Sequence, residues 1–267
     1  MPHTFSLSTP IAMGRTAEVY AWGEGHVLKL YREQFPRDWV DHEARVARTI
    51  VEAGIPTPAP GAIVEAQGRR GIVYARVTGI SMLADLQARP WTLFRHARDL
   101  ARLQAQVHRI TAPQLPSYRD SMARAIGQAP DLPDDLRAKV LALMPALPEG
   151  QALCHGDFHP DNVLITPEGP VIIDWMTAKA GDPWADVART SLILTVGIAA
   201  APVPISRLLR LFTGFYYSLY LKYYAKYTGG NDGGRERWLP VVAAARLNER
   251  IEGEREALLQ LVREAVG

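Results

Sequence analysis

The chain has 267 residues, of which 48 % are hydrophobic and 22 % charged, a composition that excludes an intrinsically disordered chain. The 30 basic residues nearly balance the 28 acidic ones, so the net charge of +2 does not indicate a nucleic-acid partner. The single cysteine, Cys154, excludes an internal disulfide framework. The N-terminus lacks the pattern of a secretion signal and no apolar run predicts a membrane span. We therefore expect a cytoplasmic protein without a membrane partner; the oligomeric state is not predicted.

The first predicted elements form a strand, a turn and a strand within residues 11–31. Gly14 and Thr16 lie in the first turn, in the sequence Gly-Arg-Thr-Ala-Glu. A glycine turn between strands can present backbone N–H groups to an anion, and the Thr16 hydroxyl can assist. The alternative is a hairpin that binds no ligand, and a single glycine does not distinguish it from an anion-binding turn.

An ion pair is predicted between the second strand and the first helix. Val27 and Lys29 share one face of the strand, and Glu43 falls on the apolar stripe of a helix that begins at Pro36 and ends at Gly54. A lysine in a strand is usually exposed, but a buried carboxylate normally requires a cationic partner. The other residues of the stripe are Trp39, Val46, Ala47 and Ile50.

The composition changes after Thr78-Gly79. Residues 55–67 are rich in proline and are expected to be irregular, and Ile72 to Tyr74 form a strand. The remainder is mainly helical, so we place an N-terminal lobe at residues 1–78 and a C-terminal lobe at 79–267. The predicted helices are 91–110, 118–128, 133–144, 184–200, 205–228 and 236–265, with short strands at 152–155, 162–165 and 171–174.

The segment 154–162, CHGDFHPDN, concentrates groups that can do chemistry next to a core-like apolar run. Asn162 precedes one strand of a predicted hairpin and Asp174 follows the other, so both side chains should lie at the same end of the pair. Carboxylate and amide oxygens are suitable ligands for Mg²⁺. Asp157 would then be available to orient or deprotonate a hydroxyl group.

The order of these elements along the chain resembles that of a known family. The order of glycine turn, strand lysine, helix glutamate, H-x-D-x-x-x-x-N and strand-end aspartate resembles that of the protein-kinase-like superfamily. The motifs HGDFHPDNVL, IIDW and GDPWADVA are similar to those of its aminoglycoside phosphotransferase and choline kinase branch. The resemblance covers most of residues 12–190. It implies an α+β bilobal fold with a small strand-rich N-lobe and a larger, mostly helical C-lobe.

The activity implied by the resemblance is that of a small-molecule kinase. Such an enzyme transfers the γ-phosphoryl group of a Mg²⁺-bound nucleotide, ATP or GTP, to a hydroxyl of an antibiotic-like compound or metabolite. Asp157 would be the catalytic base, with Asn162 and Asp174 as metal ligands. Lys29 would contact the α- and β-phosphates and be held by Glu43. The remaining nucleotide-binding positions implied by the resemblance are Gly14, Thr16, Val19, Val27, Tyr74, Ala75, Val77, His159, Leu164 and Ile173, with Tyr74 to Val77 as the hinge and His159 near the γ-phosphate.

Two differences from protein kinases bear on which substrates this chain could phosphorylate. Too few residues separate Asp174 from Asp182 for an activation segment that binds a polypeptide, and Gly156 stands where protein kinases usually have arginine. A regulated protein kinase is therefore not expected. Asp182 and Asp186 are expected to brace the catalytic segment.

The acceptor is not identified by the sequence. After Trp175 there are nine acidic and twelve basic residues, the opposite of what a polycationic aminoglycoside would require. A helix near the C-terminus is rich in phenols, which either pack against other helices or form an aromatic wall for a neutral ring. The phenols are those of Tyr216, Tyr220, Tyr223, Tyr224 and Tyr227.

Two functions from other classes remain open. His155, Asp157 and His159 alternate along the chain, and such a trio can hold zinc in a metal-dependent hydrolase. A nucleotide-binding regulator without turnover is the other alternative. Metal analysis separates the hydrolase from the kinase, and ATP consumption separates the kinase from the regulator.

Overall fold

The computed structural model describes residues 9–14, 16–198, 207–230 and 233–267. Arg15 of the predicted glycine turn and residues 199–206 of the predicted helical region lie outside these ranges. Contacts divide the chain into two compact units. The first extends to Ser81 and includes Asn162–Met176, and the second comprises Met82–Asp161 and Thr177–Gly267. The boundary near Ser81 is close to the predicted one, whereas the prediction assigned Asn162–Met176 to the C-terminal lobe.

The first unit contains two antiparallel sheets. In the described residues the strands of the whole chain are β1 Ala12–Met13, β2 Ala17–Ala21, β3 His26–Tyr31, β4 Pro60–Ala66, β5 Arg69–Ala75, β6 Ile80–Ser81, β7 Ala152–Cys154, β8 Val163–Thr166, β9 Gly169–Ile172 and β10 Lys179–Gly181. A five-stranded sheet has the order β1-β2-β3-β5-β4, and a three-stranded sheet has the order β6-β8-β9. Strand β4 corrects the prediction of an irregular segment. Pro60 is tolerated because it is the first residue of that strand.

The helix of the first unit runs from Arg37 to Glu52, after Pro36 as predicted. It stops before Gly54, whose φ of 77° is readily available to glycine. The predicted placement of Trp39 in the buried stripe is wrong: its side chain is 40 % exposed and packs against Phe35 with tilted rings at a centroid distance of 5.4 Å. The residues of the stripe that are buried are Val40, Glu43, Ala44, Val46, Ala47 and Ile50.

The second unit is mainly helical. Numbering the helix just described as α1, the others are α2 Met82–Ala88, α3 Leu93–Val107, α4 Tyr118–Gln128, α5 Asp134–Leu143, α6 Pro183–Leu192, α7 Arg207–Thr228, α8 Gly234–Arg246 and α9 Arg255–Val266. Helix α4 has the predicted bounds, and the Ser117 hydroxyl caps its start by accepting from the Asp120 N–H. Helix α2 and strand β10 were not predicted.

The predicted single helix over 236–265 is wrong. The chain leaves α8 through a short 3₁₀ helix, Leu247–Glu249, and then takes left-handed conformations at Arg250 and Gly253, with φ of 50° and 82°. These two residues separate α8 from α9 because a left-handed residue cannot continue a right-handed helix. Buried residues of α4, α5, α6, α8 and α9 form the core of this unit.

Among the residues that the structure describes, no helix is both long and apolar enough to cross a membrane.

Candidate active site

Lys29 is held by two carboxylates within the first unit. Its Nζ lies 2.9 and 3.0 Å from the two Glu43 carboxylate oxygens and 2.8 Å from Asp174 Oδ1. Glu43 is 2 % exposed on α1, and the Tyr74 hydroxyl donates to its Oε1 at 3.0 Å. The sequence therefore correctly indicated that the buried acid has Lys29 as its cationic partner.

The charges of this group depend on one another. Burial alone would lower the pKa of Lys29, but Asp174 and Glu43 outweigh it and raise that pKa well above its ordinary value. Burial raises the pKa of Glu43, and the nearby Asp174 carboxylate adds to this against the opposing effect of Lys29. The result is a permanently charged ammonium fixed between two acids.

Asn162 and Asp174 are neighbours at one end of the β8–β9 pair. Val163 pairs with Ile172, and the Ile173 N–H donates to the Asn162 carbonyl at 3.0 Å. Asp174 then turns into the left-handed region with φ of 65°, unusual for a residue with a side chain. One carboxylate and one carboxamide at this position match the hard oxygen donors that Mg²⁺ prefers, so these residues fit the implied metal.

The apolar positions assigned to the nucleotide also lie in the first unit. Val27 pairs with Tyr74 across β3 and β5, and Val19 pairs with Lys29 across β2 and β3. Partly buried positions in this group are Val19, Val27, Val77, Leu164 and Ile173, and Ala75 is exposed. The Tyr74 side chain is engaged with Glu43, so a hinge at this position would act through the main chain.

The glycine turn is tight. The Gly14 N–H donates to the Ala17 carbonyl at 2.8 Å, and the Gly14 carbonyl accepts from the Arg32 guanidinium at 3.2 Å. Thr16 is half-buried and its carbonyl accepts from the Arg32 N–H at 3.0 Å. The backbone groups of Gly14 are therefore used within the sheet, which favours the hairpin interpretation for that residue.

Asp157 and His159 belong to the second unit and contact each other. His159 Nε2 lies 3.5 Å from Asp157 Oδ2, and Arg189 Nη2 lies 3.8 Å from Asp157 Oδ1. Burial would raise the pKa of Asp157, but the hydrogen bond from His159 and the charges of His159 and Arg189 outweigh it and lower that pKa. Asp157 is therefore ionised throughout the physiological range.

Asp186, on α6, braces the 154–162 segment. It accepts from the His155 N–H at 3.1 Å and from the Gly156 N–H at 2.7 Å. His108 and Gln104 of the second unit contact the same carboxylate at 3.0 and 3.1 Å. This confirms the bracing role expected for Asp186, since a buried carboxylate with several donors fixes two consecutive amides.

Asp182 has a different supporting role. It caps the start of α6 by accepting from the Trp184 N–H at 3.0 Å, and it also accepts from the Trp238 indole N–H at 3.0 Å. It thus joins α6 to α8 and contributes to the same scaffold.

Arg189 is a site residue that the sequence pattern did not reveal. It is 7 % exposed on α6, its Nε donates to the Gly156 carbonyl at 3.1 Å, and its Nη1 pairs with Glu249. Arg189 and Asp157 are far apart in the sequence, so no local spacing connects them. The sequence signal that could have drawn attention to it is an arginine among the small and apolar residues of Ala-Asp-Val-Ala-Arg-Thr-Ser-Leu.

The phenols of α7 are mostly packing groups. Tyr216, Tyr220 and Tyr224 are buried. The Tyr224 hydroxyl lies 2.7 Å from His108 Nδ1, and the Tyr220 hydroxyl pairs with Gln104. The interpretation as helix packing therefore applies to these three residues, while Tyr223 and Tyr227 are half-buried.

The trio proposed for a zinc hydrolase does not form a metal centre. His155 is fully buried, and its Nδ1 accepts from the Asp157 N–H at 3.2 Å. In the part of the chain that the structure describes, no group of three or more His, Cys, Asp or Glu side chains is arranged to hold a metal ion. His155 instead anchors the loop.

A comparison with known proteins gives a family match and structural neighbours. Residues 8–218 match the profile described as the phosphotransferase enzyme family. No curated protein is similar enough in sequence to count as a relative.

Three solved structures illustrate the structural similarity. An aminoglycoside-3′-phosphotransferase of type VIII is 22 % identical, with 89 % of each chain covered and a TM-score of 0.62. The streptomycin–ATP–APH(2″)-IIa ternary complex is 14 % identical over 100 % of this chain and 95 % of that one, with a TM-score of 0.63. A choline/ethanolamine kinase family protein from Mesorhizobium loti is 20 % identical over 98 % and 82 %, with a TM-score of 0.61. These similarities confirm the predicted α+β protein-kinase-like fold class.

Proposed function

Because the chain belongs to the phosphotransferase enzyme family, we propose that it transfers the γ-phosphoryl group of Mg²⁺-bound ATP to a hydroxyl group of a small molecule. Family membership confirms the predicted family and the enzyme class, a phosphotransferase that acts on an alcohol group. The nucleotide, the metal and the acceptor are the proposed parts. The observation that carries the proposal is the ammonium of Lys29 held between Glu43 and Asp174.

In the proposal, the first unit binds the nucleotide. Lys29 would contact the α- and β-phosphates, because its charge is permanent and its position is fixed by the buried Glu43. Asn162 and Asp174 would hold Mg²⁺, which when bound neutralises charge on the phosphate oxygens. The proposal names ATP rather than GTP as the nucleotide because a structural neighbour was solved as a complex with streptomycin and ATP.

Asp157 would orient the acceptor hydroxyl. As the acceptor oxygen forms its bond to the γ-phosphorus, the bond from that phosphorus to the β,γ-bridging oxygen breaks, and the hydroxyl proton passes to the Asp157 carboxylate. A carboxylate whose pKa is lowered is a weak base, so this proton is expected to move late, when the attacking oxygen has become acidic. His159, beside Asp157, would lie near the transferred group.

The proposed acceptor is a neutral or weakly charged hydroxylated molecule, such as an antibiotic-like compound or a metabolite. Asp157 lies close to His159 and Arg189, and burial together with the charge of Arg189 lowers the pKa of nearby Lys179 to about 8. Because Asp157 is already paired with Arg189, a polycationic aminoglycoside would find no surplus of negative charge there. The cytoplasmic location, and the absence of nucleic-acid and membrane partners, stay predictions.

The test is ATP consumption by the purified protein with a panel of hydroxylated compounds that includes neutral macrolides, sugars, amino alcohols and aminoglycosides. We expect at least one neutral acceptor to stimulate turnover. With that acceptor, Asp157→Asn should lower kcat by about 10²- to 10⁴-fold and leave the KM for ATP nearly unchanged, because Asp157 acts on the acceptor. Full turnover by Asp157→Asn would exclude the proposed role. Stoichiometric zinc that survives dialysis would instead favour a hydrolase.

A further inference from the structure

Arg189 is bound from three directions inside the second unit. Its Nε donates to the Gly156 carbonyl at 3.1 Å, one terminal nitrogen lies 3.8 Å from Asp157 Oδ1, and the other pairs with Glu249. A guanidinium can satisfy three such partners at once because its five donors are held in a rigid plane. Lysine, with a single ammonium on a flexible stem, cannot reproduce this set.

Glu249 is itself held in place by the C-terminal part of the chain. Its Oε2 lies 3.5 Å from Arg246 Nη1. Arg246, which is buried, makes two hydrogen bonds to the buried carboxylate of Glu254, at 2.5 and 2.7 Å. Charges therefore alternate from Asp157 through Arg189, Glu249 and Arg246 to Glu254, and each buried cation has an acid beside it.

Other charged groups surround this chain of contacts. His159 approaches Asp157 on the carboxylate oxygen opposite to the one that faces Arg189. Asp186 holds the amides of the same loop. Lys179 donates from its Nζ to the Thr177 carbonyl at 2.9 Å, and burial and the charge of Arg189 lower the pKa of Lys179. Arg189 contacts both the Gly156 carbonyl and the Asp157 carboxylate. None of the other groups just named makes both of these contacts.

We propose that Arg189 is a positioning residue for Asp157, and that Glu249 aligns Arg189 for this purpose. Arg189 fixes the Gly156 carbonyl and attracts the Asp157 carboxylate, so it sets both the main-chain direction and the side-chain position of the catalytic residue. The inference rests on the proposed function for its catalytic consequence, but its structural part, an ordered loop at 155–158, does not require any substrate.

The first experiment compares kcat and KM of Arg189→Met and Arg189→Lys with the wild type, using ATP and the acceptor identified by the panel. A displacement of about 1 Å at the reacting group costs on the order of 10²-fold in rate. We expect Arg189→Met to lose about 10²-fold in kcat with the KM for ATP unchanged within about threefold. Arg189→Lys should recover part of the loss, because it keeps the charge but not the forked contacts.

Arg137→Met is the control variant. The Arg137 guanidinium also binds main-chain carbonyls of the second unit, those of Ala129 and Leu132 at 3.0 and 2.8 Å, but these lie between α4 and α5 rather than in the 155–158 loop. Arg137→Met should lower thermal stability and leave kcat within about twofold. Equal losses of kcat in both variants would show that Arg189 acts through general stability, and would overturn the proposal.

The second experiment is amide hydrogen exchange of the free protein, which requires neither acceptor nor turnover. Peptides covering residues 155–158 should exchange faster in Arg189→Met than in the wild type and in Arg137→Met. Unchanged exchange there would overturn the positioning role even if no acceptor is ever found. If the wild type shows no turnover but the exchange result is as expected, the proposed function fails and the loop-ordering role of Arg189 stands. If exchange changes but an active enzyme keeps its kcat, the catalytic part of the inference is wrong.

Discussion

Replacing Gly156 by alanine tests how tightly the catalytic loop is constrained. Gly156 has φ of 78°, and a Cβ at this position would lie 2.6 Å from the Thr177 carbonyl oxygen and 3.1 Å from Thr177 Cβ. A left-handed residue with a side chain costs about 1–2 kcal/mol, and the overpacking adds about 1–3 kcal/mol. We therefore expect Gly156→Ala to lower the free energy of unfolding by about 2–5 kcal/mol.

Gly127→Ala is the matched control for this substitution. Gly127 is exposed on α4, and a Cβ there would meet no atom within 4 Å, so alanine should stabilise the helix by about 0.5–1 kcal/mol. Urea unfolding of the two variants and the wild type gives the comparison, and ATP turnover should fall only in Gly156→Ala, because its N–H and carbonyl bind Asp186 and Arg189. Wild-type stability in Gly156→Ala would refute the assignment of a strained, closely packed turn.

Two further predictions concern partly buried lysines. Lys29→Met should lower the free energy of unfolding by about 3–5 kcal/mol, because Glu43 and Asp174 would lose their shared cation; Lys29→Arg, which keeps the charge, should lose less, and urea denaturation at neutral pH checks both. Burial and the charge of Arg189 lower the pKa of Lys179 from 10.5 to about 8, so between these values the unfolded chain binds more protons and stability should rise with pH. Lys179→Met should remove this rise relative to the wild type, and parallel stability curves from pH 7 to 11 would contradict the expectation.

Local sequence patterns predicted the helices whose ends are marked by a proline, a glycine or a capping serine. Helix α1 follows Pro36 and stops before Gly54, and α4 starts at a serine cap. The Lys29–Glu43 pair was predictable because a carboxylate on an apolar helix face needs a cation. The β8–β9 hairpin followed from two short apolar runs on either side of a turn, and Asn162 and Asp174 lie at the same end of the strand pair, as expected.

Other features were not predictable from local patterns. Trp39 is exposed and packs against Phe35, although its spacing fits the buried stripe. The break between α8 and α9 occurs at Arg250, a residue whose left-handed conformation has no sequence signature. The contact of Arg189 with Asp157 and Glu249 joins three separate segments, and nothing in their local sequences relates them.

The series of paired charges from Asp157 to Glu254 affects how far the chain can be shortened from its C-terminal end. A chain that stopped at Arg246 would keep residues 154–162 and all of the residues that match the family, yet would lose both Glu249 and Glu254. Arg246 would then be a buried cation without the carboxylates that neutralise it. We therefore expect the last twenty or so residues to be required for a stable enzyme, although they carry none of the implied nucleotide-binding or metal-binding positions.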